Sequence, residues 1–90
     1  MNPATLRDIE SKIKDNTIAR EHLVEGKLLA VLAEAYDVTK PRISGRVRSA
    51  VKYANGLVRM GKISPNGESA ESLLLASYEH LRLRFWGRAA

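Results

Sequence analysis

Along the N-terminal part of the chain, apolar side chains recur at the spacing of amphipathic helices. Asn2-Pro3 predicts a helix start, since asparagine accepts a backbone hydrogen bond at an N-cap and proline fits the first turn. The polar run at residues 15–17 predicts the end of this helix and the cap of a short second one, which Gly26 closes. A third helix is predicted over residues 27–35. The face of the first helix is marked by Leu6, Ile9 and Ile13.

The middle of the chain carries the clearest amphipathic pattern. Thr39 is a good N-cap, and Pro41 is tolerated in the first turn that follows. Asn55-Gly56 predicts the end of this fourth helix. Its continuous apolar stripe consists of Ile43, Val47, Ala50, Val51 and Ala54.

The remainder predicts one more helix. Residues 57–63 are compatible with either a strand or a helix that continues after a kink. Residues 64–67 have the composition of a turn, and residues 68–86 predict a final helix. The expected fold class is therefore all-α, with a short β segment at 57–63 left open. Residues 1–56 are expected to form a DNA-binding domain, and residues 57–90 a connector and C-terminal helix.

Positive charge is concentrated in the same middle segment. The net charge is +5. Residues 38–67 hold seven basic side chains and no acidic one, whereas acidic residues outnumber basic ones over residues 1–37. Such a segment is either an ordinary solvated surface or a binding surface for a polyanion.

Small and apolar residues around the turn at 36–39 fit a helix-turn-helix. Ala33 is small where a second helix would cross, and Val38 and Ile43 would point inward from the turn and the second helix. Asp37 stands where glycine is usual, but aspartate tolerates the left-handed conformation better than most residues. The alternative is a helical hairpin with a charged outer face.

The outer side of the fourth helix provides the candidate DNA-binding residues. A recognition helix presents its N-terminal turns to base edges, and arginine can donate two parallel hydrogen bonds to guanine. The residues predicted to lie near the DNA bases are Lys40, Arg42, Ser44 and Arg48. Those predicted to bind backbone phosphates are Arg46, Lys52 and Arg59. Thr39 and Gly45 complete the set, because Thr39 begins the helix and Gly45 lets it lie deep in a groove.

The final helix has more large apolar residues than one packed face needs. Leu75, Leu83 and Trp86 widen its apolar stripe, so that one part could pack on the core and another on a second subunit. The alternative is that all of it packs internally. The predicted dimerisation residues are Leu74, Tyr78, Leu81, Phe85 and Trp86.

Other classes of function find little support in the sequence. Cysteine is absent, and His22 and His80 do not have the spacing of metal ligands. No nucleophile cluster or phosphate loop suggests an enzyme, and no cofactor or small-molecule substrate is expected. The N-terminus has no apolar segment of a signal peptide, so a cytoplasmic protein without membrane association is expected.

Residues 18–53 resemble a family of plasmid regulators. Three segments are similar to the TrfB/KorA repressors and, more distantly, to PapB-type regulators. They are Ile18-Ala19-Arg20, the run Leu-Val-Glu-Gly-Lys at 23–27, and the segment ending Val47-Arg48-Ser49-Ala50. The resemblance implies a mostly helical homodimer that represses transcription from a palindromic operator. It also implies that residues 39–52 contact bases. The C-terminal segment has no clear counterpart in that family.

The leading hypothesis is thus a sequence-specific regulator that binds double-stranded DNA as a homodimer. Two alternatives remain open. The chain could be a small phage or plasmid module that inhibits a host protein, or an architectural protein that binds DNA without sequence preference.

Overall fold

The computed structural model describes residues 2–86. Over this range the chain forms α1 (Pro3–Leu23), α2 (Leu29–Ala35), α3 (Lys40–Arg59) and α4 (Ala70–Trp86). The described chain has no strand, so the all-α class is confirmed. Of the segment left open at 57–63, residues 57–59 form the end of α3, and residues 60–63 lie beyond the helix. In this part of the chain, no helix combines the length and hydropathy needed to cross a bilayer.

The predicted break at residues 15–17 is wrong, because α1 runs through it without interruption. Each of the three polar side chains finds a partner that leaves the helix intact. Asp15 accepts a hydrogen bond from Arg46. Asn16 donates from Nδ2 to the Leu74 carbonyl at 3.0 Å. Thr17 donates from Oγ1 to the Ile13 carbonyl. Asp15 and Asn16 therefore tie α1 to α3 and α4, and Thr17 bonds back within α1, so none of the three caps a new helix.

The end predicted for the fourth helix at Asn55-Gly56 is also wrong. α3 continues to Arg59 and buries Leu57, which lies three residues beyond buried Ala54 and extends the same apolar stripe. Burying Leu57 outweighs the weak helix propensity of glycine. The helix ends where Gly61 takes a positive φ of 70° and the Lys62 amide donates to the Leu57 carbonyl.

Three other local signals of helix ends, at Asn2, Gly26 and Thr39, are confirmed. The Asn2 side chain accepts from the Thr5 amide at 2.8 Å, and the Thr39 hydroxyl accepts from the Arg42 amide at 3.3 Å. Gly26 has a φ of 76° just after α1, as its position predicted. These features depend on residues within one turn of each other, which is why the sequence alone could reveal them.

Helix α1 is the central element of the packing. It contacts both α3 and α4, α3 also contacts α4, and α2 packs mainly against α3. Leu74 of α4 belongs to the same core cluster as Ile18 and Ile43. The domain boundary expected after residue 56 falls within α3. The full core cluster consists of Ile18, Ala19, Leu32, Ala33, Ile43, Val47, Ala50 and Leu74.

Candidate nucleic-acid interface

Helices α2 and α3 are joined by a turn over residues 36–39. Asp37 adopts a φ of 55°, the left-handed conformation expected for it. The Val38 amide then donates to the Ala33 carbonyl at 2.9 Å, which closes the end of α2. Thr39 caps α3 immediately afterwards. The turn therefore sets the direction of α3 through local backbone geometry.

The inner side of this unit is packed as the pattern predicted. Ala33 and Ile43 are buried, and Val38 is half-buried against the same cluster. Val47 and Ala50 extend the buried side along α3. Because α3 is anchored along this side, its backbone presents the residues on the opposite side to solvent.

Hydrogen bonds hold the turn against the end of α1. The Tyr36 hydroxyl donates to Glu21 at 2.6 Å, and the Lys27 ammonium donates to the other oxygen of that carboxylate at 3.1 Å. The hydrogen bond to Glu21 raises the pKa of Tyr36 to about 12, and the same bond lowers the pKa of Glu21. Sequence analysis missed this contact, because the two residues lie fifteen positions apart.

A basic surface covers the outer side of α3. It is formed by five exposed side chains, which we call the basic face. Among residues 2–86, none of the five has a carboxylate partner. Their charges therefore face solvent without neutralisation by the fold. The members of the basic face are Arg48, Lys52 and Arg59, which share the side opposite the core, and Lys40 and Arg42, which flank that side at the start of α3.

Small residues lie beside these charges. Thr39 is exposed at the start of α3, and Ser44 and Gly45 are half-buried on its surface. A Cβ atom added to Gly45 would meet no atom within 4 Å, so the space in front of this position is open. The backbone of α3 can thus be approached closely at its second turn.

Arg46 does not belong to the basic face. Its Nη1 donates to Oδ1 of Asp15 in α1 at 3.1 Å. Arg46 lies one turn after Arg42 but projects toward α1, whereas Arg48, two residues further on, leaves α3 on the opposite side. The guanidinium that sequence analysis assigned to phosphate is thus held by a carboxylate of the fold. Burial raises the pKa of Asp15, although the charge of Arg46 and its hydrogen bond act in the opposite direction.

The five predicted dimerisation residues differ in their exposure. Leu74 and Leu81 are fully buried within the single chain, so the structure does not present them to a second copy. Tyr78 is half-buried, with the Arg20 guanidinium 4.6 Å from its ring centroid. Phe85 is half-buried against Trp86, which is exposed. The outward apolar surface of α4 comes from Trp86 together with Leu75 and Leu83, which were not among the five.

Comparison with protein-family models, with curated proteins and with solved structures found no match for this chain. Its resemblance to the TrfB/KorA repressors therefore rests on the residues of the chain alone.

Proposed function

We propose that this chain is a sequence-specific, double-stranded DNA-binding transcriptional regulator. In this proposal α2 and α3 act as a helix-turn-helix, and α3 enters the major groove. The observation that carries the proposal is the basic face itself. Five cations without carboxylate partners lie along a helix whose opposite side is anchored in the core. Such an arrangement favours a polyanion that lies along α3.

The first half of α3 is the part that would read bases. Lys40, Arg42 and Arg48 are exposed there, and Ser44 and the open space at Gly45 allow a close approach. Arginine can donate two hydrogen bonds to guanine O6 and N7, which distinguishes this base from the other three. The Thr39 hydroxyl and the first amides of α3 are suited to a backbone phosphate.

The second half of α3 would hold the DNA backbone. At 1.5 Å per residue, Arg59 lies about 25 Å along the helix axis from Arg42. A recognition helix presents its N-terminal turns to base edges, so the far end of α3 is expected to lie beyond the bases of the same groove. Lys52 and Arg59 are therefore assigned to phosphates, which position the protein and carry no sequence information.

The proposed regulator acts as a homodimer on a palindromic operator, and the outward apolar surface of α4 is its dimerisation surface. Leu75, Leu83 and Trp86 supply large apolar groups that the single chain leaves exposed. Two-fold pairing would bring two copies of α3 to half-sites about 34 Å apart. Repression, as opposed to activation, is implied by the resemblance to the TrfB/KorA family.

Selection of bound duplexes from a random pool tests the proposal, followed by titration of the best duplex at two salt concentrations. We expect a palindromic consensus and a logarithmic salt slope of about −1.8 for each subunit from Lys52 and Arg59, which would reach about −4.5 if all five cations neutralised phosphates. A salt slope without any consensus would indicate an architectural binder. Negligible binding at low salt would favour the hypothesis that the chain is a protein-interaction module.

A further inference from the structure

An open groove of about 650 Å³ lies beside the basic face, between the end of α1 and the second half of α3. Its floor is apolar and consists of Leu23, Val47 and Val51. Leu23 is 44% exposed although it is a large apolar residue. The volume lies within the range of roughly 300–1,000 Å³ typical of small-molecule sites.

The rim of this groove is cationic. Arg48, Lys52 and Arg59 line it, and Asn55 adds a neutral amide. Within residues 2–86 no carboxylate pairs with these cations. Spacings of four, three and four residues place these side chains along one side of α3, so the rim follows the helix for about 16 Å.

Duplex DNA would pair with the cationic rim of this groove but would leave its apolar floor uncovered. Phosphates can pair with the rim, but they are hydrophilic and cannot cover the leucine and valine side chains of the floor. The complementary occupant combines an anionic head with an apolar body. Arginine binds a carboxylate through two parallel hydrogen bonds, which suits Arg48 or Arg59 to a carboxylate head.

We infer that the groove binds a medium-chain fatty acid anion, with its carboxylate on the rim and its chain on the floor. Because Arg48 and Lys52 also belong to the basic face, the bound fatty acid competes with DNA and releases it. The binding site stands on the groove alone, whereas its role in releasing DNA rests on the proposed function.

The test uses decanoate as the probe, with decanol and acetate as matched ligands that lack either the charge or the chain. Methyl resonances of Leu23, Val47 and Val51 report on binding by nuclear magnetic resonance without DNA. We expect decanoate to shift all three and to bind more tightly than either matched ligand. Equal binding of decanoate and decanol would overturn the proposal, because the cations would then contribute nothing. Shifts confined to α4 would also overturn it.

Leu23→Gln removes apolar floor without touching a cation of the basic face. It should weaken decanoate binding by about threefold or more, since the fatty acid can bury only the fraction of Leu23 that is exposed in the free protein, which is 44%. Its affinity for a mixed-sequence duplex at low salt should not change. Met60→Gln is the control, because Met60 is also exposed but does not line this groove. Equal effects of the two variants on decanoate binding would contradict the site.

The two proposals can fail separately. Decanoate binding without any duplex binding would remove the regulator and leave the fatty acid site standing. Duplex binding that decanoate does not displace, in a protein whose floor resonances still shift, would overturn the competition while preserving the regulator.

Discussion

Helices α3 and α4 each bury one side in the same core, but they expose different chemistry on the other. The exposed side of α3 is basic, and among the described residues its five cations have no carboxylate partner. The exposed side of α4 includes Leu83 and Trp86, which are 66% and 54% exposed. One of its arginines, Arg82, is paired with Glu79 at 3.0 Å.

This difference separates two kinds of partner on one small molecule. Exposed arginine and lysine are well hydrated, so a helix that collects them without counter-charges is suited to a polyanion. Large exposed apolar groups are stabilised only when another apolar surface covers them. The contrast between a charged face on α3 and an apolar face on α4 can be tested by substitutions on each helix.

The largest expected effect is on the buried side of α3. Ile43→Asp places a charge at a fully buried position and removes an apolar side chain from the core. We expect a loss of about 5 kcal/mol, which approaches the whole stability of a small domain. Urea denaturation followed by circular dichroism measures it. Val58→Asp on the same helix should cost about 1 kcal/mol or less, and similar losses in both variants would refute the assignment of the inner side.

Two leucines of α4 test how its apolar residues are divided. Leu81 is fully buried and Leu83 is 66% exposed. Leu81→Ala should lower the free energy of unfolding by about 2–5 kcal/mol, whereas Leu83→Ala should change it by no more than about 0.5 kcal/mol. Under the proposed function, only Leu83→Ala weakens the homodimer, which sedimentation equilibrium detects. The reverse order of stabilities would show that α4 is rotated from its described position.

On the basic face, Arg48→Ala and Lys52→Ala separate base reading from phosphate binding. If Arg48 contacts a guanine, its loss should reduce discrimination between the selected duplex and a mismatched one by about 1–3 kcal/mol. Lys52→Ala should weaken all duplexes equally and lower the salt slope by about 1. Fluorescence anisotropy titrations measure both quantities. If neither variant changes binding, α3 is not the reading helix.

Releasing Arg46 from its partner should extend the basic face. Asp15→Asn removes the carboxylate that holds the Arg46 guanidinium at 3.1 Å. Burial raises the pKa of Asp15, but the variant also leaves the part-buried Arg46 guanidinium without its counter-charge, so we expect a loss of stability as well. Duplex affinity should increase, with a salt slope steeper by about 0.9 if the freed guanidinium reaches a phosphate. An unchanged slope would show that Arg46 cannot reach DNA from its side of α3.

The smallest expected effect is the pH dependence from His80 on α4. Burial lowers its pKa from the ordinary value of 6.5, and the positive charges of Arg84 and Lys62 act in the same direction. The unfolded chain therefore binds more protons just below pH 6.5, and the free energy of unfolding should decrease as the solution is acidified through this window. Urea denaturation of His80→Gln over the same pH range should lack this component. A decrease of equal size in both proteins would assign it to other groups.

Part of the candidate site could be predicted because it depends on neighbouring residues. Thr39 caps α3, Asp37 takes the left-handed conformation, and the apolar stripe from Ile43 to Ala54 faces the core. Each of these features is decided within one or two helical turns. The environment of Arg46 could not be predicted, because Asp15 lies thirty-one positions away and its pairing depends on how α1 crosses α3.

The order of apolar and polar residues determined where α3 begins, which of its sides is buried, and that its charge is wholly positive. Only the tertiary structure decided that α1 continues through residues 15–17, that Arg46 is withdrawn from the basic face, and that α4 buries Leu74 and Leu81 while exposing Leu75 and Leu83. The reason is that helical periodicity defines the faces of an element, whereas the neighbour that each face meets depends on contacts between distant residues.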